Sequence, residues 1–185
     1  QLIKDLRVEE RFGVPVRFTG PLWDSGPLAE MFIHRANANL AGVEKSAVGI
    51  LLVGHGQPHE WDVEWPSETA QELAFRERVL TGLERDGLSR THIGLAWMEF
   101  REPKVPAAVE DLARQGVRRL LYFSAAISAD AIHSQYDTPA LVAKARTPEG
   151  MSTVNLGAWN DDPLVIQAIK EKIDLLLAQP AVAGK

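Results

Sequence analysis

The 185-residue chain contains no cysteine. Disulfides, thiolate metal sites and thiol nucleophiles are therefore excluded, and any metal must be held by His, Asp, Glu or backbone oxygen. The absence agrees with a reducing compartment, and a cytoplasmic location is expected. Also missing is any apolar run near the roughly 20 residues that a membrane-spanning helix needs. The longest run, residues 47–53, has the length of a buried strand. Positive charge is in short supply: 20 Lys and Arg stand against 25 Asp and Glu, with a net charge of −5 and a pI near 5.6. Nucleic acids and anionic membranes both require a basic face, so neither is an expected partner. Walker-type and dinucleotide-type glycine spacings are absent too. The chain opens on Gln1, and its charged first residues hold no signal-peptide core. The expectation is a portion of a longer parent, or a start renumbered after a tag.

What is present suits a soluble globular protein, and the length allows one α/β domain with a sizeable core. Short apolar runs alternate with longer amphipathic ones, the βαβ rhythm of a parallel sheet flanked by helices. Residues 14–20 (VPVRFTG) read as a short strand and residues 28–40 as a helix. AVGILLVGHG, residues 47–56, is a continuous apolar strand, expected to be central and covered on both faces. A polar loop, QPHEWDVEWPSE, leads to a helix over residues 67–85 with Ser67 as its N-cap. Residues 92–100, 117–127 and 153–159 read as three more strands. Further helices are expected between Pro103 and Gly116, over residues 140–145, and after Asp162. The last has Val165, Ala168, Ile169, Ile173, Leu176 and Leu177 on its apolar face. The expected fold is α/β, a parallel sheet of about four strands between helical layers. Its expected division is an N-terminal strand–helix segment over 1–44, an α/β lobe over 45–178 and a loose tail over 179–185.

Ligands of open parallel sheets bind beyond the C-terminal ends of the strands. Three of the expected strands carry a metal-competent side chain there: His55 in Gly54-His55-Gly56, Glu99 after Trp97-Met98, and His133 just past the fourth strand. Imidazoles suit iron, cobalt, nickel and zinc, and a carboxylate adds charge to hold a divalent ion. Two His and one Glu leave coordination positions open, as a transferring site requires. Imidazole titrates around neutrality, so the same set offers a general base. Each residue also has a structural reading. A strand-end His commonly satisfies a local hydrogen bond, Glu99 has Arg101 and Lys104 nearby as ion-pair partners, and a glycine after a strand is ordinary. Their recurrence at three strand ends is what favours a site.

Several secondary candidates surround that set. Gly54 and Gly56 flank His55; Trp61, Ser128 and Tyr136 are candidates to line a cleft, with Trp61 and Trp65 suited to stacking on a flat ring. Packing under the loop is the plainer role for both tryptophans. Tyr136 and Asp137 are placed to orient His133 through a hydrogen bond. His59, Glu60, Asp62 and Glu64 form a solvated loop or an entry path for metal. Trp97 reads as core, and His34 and His92 as structural.

LLVGHG resembles the first motif of the CbiX-type sirohydrochlorin chelatases and, more distantly, that of the ferrochelatases; both belong to the class II chelatases. The stretch Ala96 to Phe100 resembles the strand bearing that family's acidic ligand, and PKVPAAVEDLARQGVRRLLYFSAAISADAIHSQYDTPALVAKA its helix, strand and His loop. LGAWNDDPLVIQAI resembles its closing strand and helix. The likeness runs collinearly over about residues 47–177. It implies a flavodoxin-like lobe and a tetrapyrrole cleft completed by a second lobe of the same parent chain or by a homodimer partner. It also implies Co²⁺ or Fe²⁺ as the substrate metal, sirohydrochlorin or protoporphyrin as the macrocycle, and no organic cofactor. Carried over by position, His55, Glu99 and His133 are its metal ligands and proton acceptors. His133 stands where protoporphyrin ferrochelatases carry a Glu, whereas Gln57-Pro58 is nearer the ferrochelatase pattern. Two other readings stay open: a non-catalytic carrier of metal or tetrapyrrole, and an unrelated domain binding phosphate or a nucleotide at the same edge.

Overall fold

The computed structural model describes residues 5–40 and 42–179. Four strands form one sheet: β1 Val48–Gly54, β2 Ile93–Trp97, β3 Arg119–Ser124 and β4 Ser152–Asn155. They are ordered β2-β1-β3-β4, and every pairing is parallel. All seven residues of β1 are buried. That follows from its sequence, because VGILLVG offers apolar side chains to both faces at once. Ile50 and Leu52 enter one core while Leu51 and Val53 enter the other.

Helices make the outer layers. On one face lie α2 Gly26–Ala38, α4 Pro66–Arg85 and α7 Pro163–Ala178, bringing Leu28, Phe32, Phe75, Val79 and Val165 onto Ile50, Leu121 and Phe123. Phe32 meets the rings of Phe123 and Phe75 edge-on, at 4.8 and 5.6 Å between centroids. On the other face, α5 Val105–Arg114 and α6 Thr138–Ala143 supply Val105, Val109, Leu112 and Val142. Two short helices, α1 Val8–Phe12 and α3 Trp61–Glu64, lie outside these layers. Among the described residues, no helix is long and apolar enough to cross a membrane.

Some expectations change. Residues 14–20 form no strand: Val14 and Phe18 are exposed, and the stretch pairs with no ladder. Pro15 removes a backbone donor, and no sheet edge is in reach to reward an extended chain. The part of residues 1–44 that is described therefore contributes helices only, and α2 packs into the same core as β1. The fourth-helix start also shifts. Pro66 takes the first helical position and Trp65 the cap, leaving Ser67 inside the first turn without a capping bond. Asp162 does cap α7, its Oδ1 accepting from the Leu164 N–H at 3.0 Å. On α7, Val165 and Ala168 are buried, but Ile169, Ile173 and Leu177 are exposed, because the sheet covers only one side of that helix. Apart from Gln179, the tail lies outside the described residues.

Two polar devices fix the C-terminal end of the sheet. Arg76 of α4 is fully buried; its Nη1 donates to the carbonyls of Ala96 at 2.8 Å and Leu52 at 3.3 Å, on neighbouring strands. Its guanidinium lies 3.9 Å from the Trp97 ring centroid, and its Nε is 3.7 Å from Glu72 Oε1, one turn earlier. Burial lowers the Arg76 pKa to about 10, which leaves it charged at neutral pH, and raises that of the Glu72 carboxyl. The second device is Asp62 on α3. Its carboxylate accepts from Gln57 Nε2 at 2.7 Å and Thr69 Oγ1 at 3.0 Å, and pairs with Arg101. It thereby ties α3 both to α4 and to the loop after β2.

Arg76→Ala strands Glu72 in the interior and removes the bridge between β1 and β2. A stability loss of about 3–5 kcal/mol is expected, read from urea unfolding; a loss under about 1 kcal/mol would show that the bridge is dispensable. The bonds from Gln57 and Arg101 hold the Asp62 carboxyl at about 2, against an ordinary 3.8. A carboxyl depressed in the folded state stabilises above its unfolded value and loses that contribution as pH falls through the folded one. The Asp62 tether is thus expected to be whole above about pH 4 and to release as the pH falls towards 2. Trp61 and Trp65 report it by fluorescence, and the same titration in Asp62→Asn should lack that step.

Candidate metal and macrocycle site

In the order β2-β1-β3-β4 the chain leaves β1 to one side and returns to the other. The crevice between the C-terminal ends of β1 and β3 is therefore the switch point of the sheet. The registers Gly54↔Trp97 and Val53↔Ser124 bring three strand ends level, so the loops that follow share one edge.

His55 leaves β1 at that edge. Gly54, before it, admits no side chain, since a Cβ would lie 2.0 Å from Glu72 Oε1. Gly56, after it, has φ +86, and a Cβ there would lie 2.6 Å from the Glu99 carbonyl oxygen. The two glycines allow the β1 and β2 loops to close on each other, and the Glu99 N–H donates to the His55 carbonyl at 3.1 Å. The imidazole itself donates from Nδ1 to the Gly56 carbonyl at 2.8 Å. A carbonyl can only accept, so the proton sits on Nδ1 and the Nε2 lone pair is left to face a ligand.

His133 reaches the same place from the other side of the switch point. It begins a π-helical turn, His133–Asp137, that runs directly into α6. Its Nδ1 is 2.7 Å from Asp137 Oδ2, four residues on. A carboxylate accepts, so Nδ1 again carries the proton and Nε2 is open. The two imidazoles lie 5.2 Å apart between centroids, nearly perpendicular at 70°. Ser134, within the turn, bonds Asp130 Oδ1 at 3.1 Å and takes the Ala131 N–H at 3.0 Å, so the loop is braced just beside the ring.

Glu99 is placed differently. Its side chain is exposed, and it lines a neighbouring cavity of about 210 Å³ with Met98, Asp137, Ala140, Leu141 and Lys144. Among the described residues, no group of three His, Asp or Glu side chains is close enough to hold a metal ion. The structure brings His55 and His133 together and leaves Glu99 on the adjoining loop.

The secondary candidates divide. Trp61 and Trp65 are about half exposed and meet edge-on at 5.9 Å, on the helix that Asp62 tethers. Tyr136 is exposed within the π-helical turn, and Ser128 is exposed, its carbonyl accepting from Asn160 N–H at 3.0 Å. Ser124 is buried and bonds Thr138 Oγ1 at 3.1 Å. Trp97 is core, and buried His92 faces the Gln115 carbonyl at 3.1 Å. Sequence reasoning passed over Glu72, Arg76 and Phe100. The first two stand on the same helical stripe as Val79, Leu80 and Leu83, and a charged i,i+4 pair on an apolar stripe is the signal that marks them. Phe100, with φ 55 and its ring 6.4 Å from that of His55, follows Glu99 directly.

Comparison with known proteins bears on this edge. A sirohydrochlorin cobaltochelatase from Methanothermobacter thermautotrophicus is 24% identical over 109 residues, which cover 58% of this chain and 66% of that protein. SirB from Bacillus subtilis, solved with Fe³⁺, superposes with a TM-score of 0.63 at 13% identity, covering 95% of this chain and 64% of that one. The chain thus spans somewhat under two thirds of the length of both relatives. The model of the CbiX family matches residues 49–175, from the start of β1 to the last turns of α7. That stretch is well over half of the sequence, and the chain belongs to the CbiX family.

Proposed function

We propose that this chain inserts a divalent metal ion, Co²⁺ or Fe²⁺, into a tetrapyrrole, acting as a chelatase without a nucleotide or an organic cofactor. The observation that carries the reading is the pair of imidazoles at the switch point, each anchored through Nδ1, with ring centroids 5.2 Å apart. Family membership supports it, and so does the cobaltochelatase among the relatives.

In this reading the incoming ion is substrate. His55 and His133 take it through Nε2, and Glu99 turns in from its loop to complete the set and offset part of the charge. The site leaves coordination positions open, so the ion stays exchangeable. The macrocycle settles over the ion, and as the metal passes to the four ring nitrogens each released Nε2 takes one of the two pyrrole N–H protons and hands it to solvent. One M²⁺ enters and two protons leave, so charge balances. A second lobe, or a second copy of the chain, completes the cleft above the edge; support comes from the relatives' greater length and from the exposed apolar residues around the site. The cytoplasm supplies both substrates. The isolated chain has one competing reading, as a carrier that binds without turnover, favoured by the same shortfall in length.

An anaerobic absorbance assay with Co²⁺ or Fe²⁺ and either sirohydrochlorin or protoporphyrin decides between them. Product beyond one equivalent per chain is expected, and its loss in His133→Ala with an unchanged unfolding midpoint. Binding that stops at one equivalent would establish the carrier, and full activity in His133→Ala would remove that residue from the chemistry. Asp137→Ala is expected to weaken metal affinity or activity by about 10–100-fold, the usual cost of losing a partner of a metal-binding His. The readout is KM for the metal with stability held constant; an unchanged KM would reduce the His133–Asp137 contact to a helix brace.

A further inference from the structure

The cavity beside the imidazole pair measures about 210 Å³ and lies between two loops. Met98 and Glu99, after β2, form one wall. Asp137, Ala140, Leu141 and Lys144, from the end of the π-helical turn, α6 and its C-cap, form the other. Each wall leads to one imidazole. The Glu99 N–H donates to the His55 carbonyl at 3.1 Å, and Asp137 Oδ2 is 2.7 Å from His133 Nδ1. A flat ring seated over His55 and His133 therefore brings one edge to the mouth of this cavity.

The charges in the lining are unequally committed. Asp137 is engaged by His133, and in the chelatase reading Glu99 turns towards the ion. Lys144 is exposed, and among the described residues its side chain makes no hydrogen bond or ion pair, even with Glu99 and Asp137 in the same lining. The other cations near the edge are placed otherwise. Arg76 and Arg35 are held on main-chain carbonyls, Arg101 is paired with Asp62, and Lys104 is the N-cap of α5, outside the lining.

Met98 and Leu141 give the cavity apolar surface beside that free ammonium. The combination complements a carboxylate on a short methylene arm: the CH₂ groups lose water against the apolar wall, and the carboxylate meets the ammonium in a charge-assisted hydrogen bond. Resting on the chelatase reading, we propose that Lys144 anchors one acetate- or propionate-type arm of the tetrapyrrole in this cavity, and so fixes how the ring is turned over the two imidazoles. With Glu99 on the ion and Asp137 on His133, Lys144 is the unpaired charge left in the lining to receive an anion. The end of a helix also favours a lysine, through the partial negative charge of its last carbonyls. That role requires no arm on the ligand, and the arm is what the test varies.

Uroporphyrin, whose acetate and propionate arms all end in carboxylates, is compared with the same ring carrying primary amides in their place, by fluorescence titration of the full chain. Lys144→Gln is expected to weaken uroporphyrin by about tenfold and to leave the amide ring within about twofold of wild type. The loss should shrink as added salt screens the pair, and Lys144→Arg, which keeps the charge, should retain most of the affinity. Unchanged uroporphyrin affinity in Lys144→Gln would overturn the proposal. So would an equal loss for both rings, which would reduce Lys144 to a cap of α6. Failure of the chelatase reading is distinct: the arm-dependent loss would stand, but no ring would take up Co²⁺ or Fe²⁺ beyond one equivalent. A wild-type chain that bound neither ring would overturn both.

Discussion

The double-sided parallel pairing of β1 is the constraint on which the rest depends. Its residues are apolar on both faces and hydrogen-bonded along both edges, so the strand has a single register to either neighbour. A slip by one residue would exchange Ile50 and Leu52 with Leu51 and Val53 across two different helical layers. The register brings Gly54, Trp97 and Ser124 level, and the loops beyond them inherit that alignment. His55 and His133 are 78 positions apart in the sequence, yet their rings stand 5.2 Å apart because two strand ends are level.

A buried cation sits directly beneath this edge. Arg76 satisfies carbonyls on β1 and β2, stacks on Trp97 and faces Glu72, and Glu72 in turn occupies the space that a side chain at position 54 would need. Buried ion pairs contribute little net stability compared with apolar packing, because desolvation offsets the attraction. What the pair does supply is position. A guanidinium that must bond two strands at once fixes where α4 crosses the sheet, and α4 carries Thr69, a partner of Asp62. The rigid floor and the tethered α3 are thus parts of one chain of contacts.

Much of this was legible in the sequence, for identifiable reasons. A continuous apolar run gave β1, since burial on both faces leaves no room for polar residues, and shorter apolar runs gave β2 and β3; β4, read as residues 153–159, is a shorter and partly exposed edge strand, Ser152–Asn155. The glycines around His55 and the His133–Asp137 spacing pointed to the edge, because turn geometry and i,i+4 contact are local properties. Ladder partners are not local. VPVRFTG has strand composition but pairs with no ladder, and it stays largely exposed. The burial of Arg76 depends on carbonyls 20 and 24 residues away in sequence. Exposure is equally non-local: Ile169, Ile173 and Leu177 read as a core face, but the sheet ends before it reaches them. At the candidate site, the sequence indicated which residues share an edge, and the structure shows that two imidazoles meet while Glu99 stands apart.

The charge of that edge depends on where the fold holds its cations. A site that takes up a divalent ion gains from surplus negative charge, which raises the local concentration of cations and offsets the cost of stripping water from the metal. Among the described residues, the arginines nearest the edge are drawn inward, Arg76 under β1 and β2, Arg35 under the β4 loop and Arg101 onto Asp62. Each of them satisfies carbonyls or a carboxylate that would otherwise lie unpaired, so none can leave its place without a loss elsewhere in the fold.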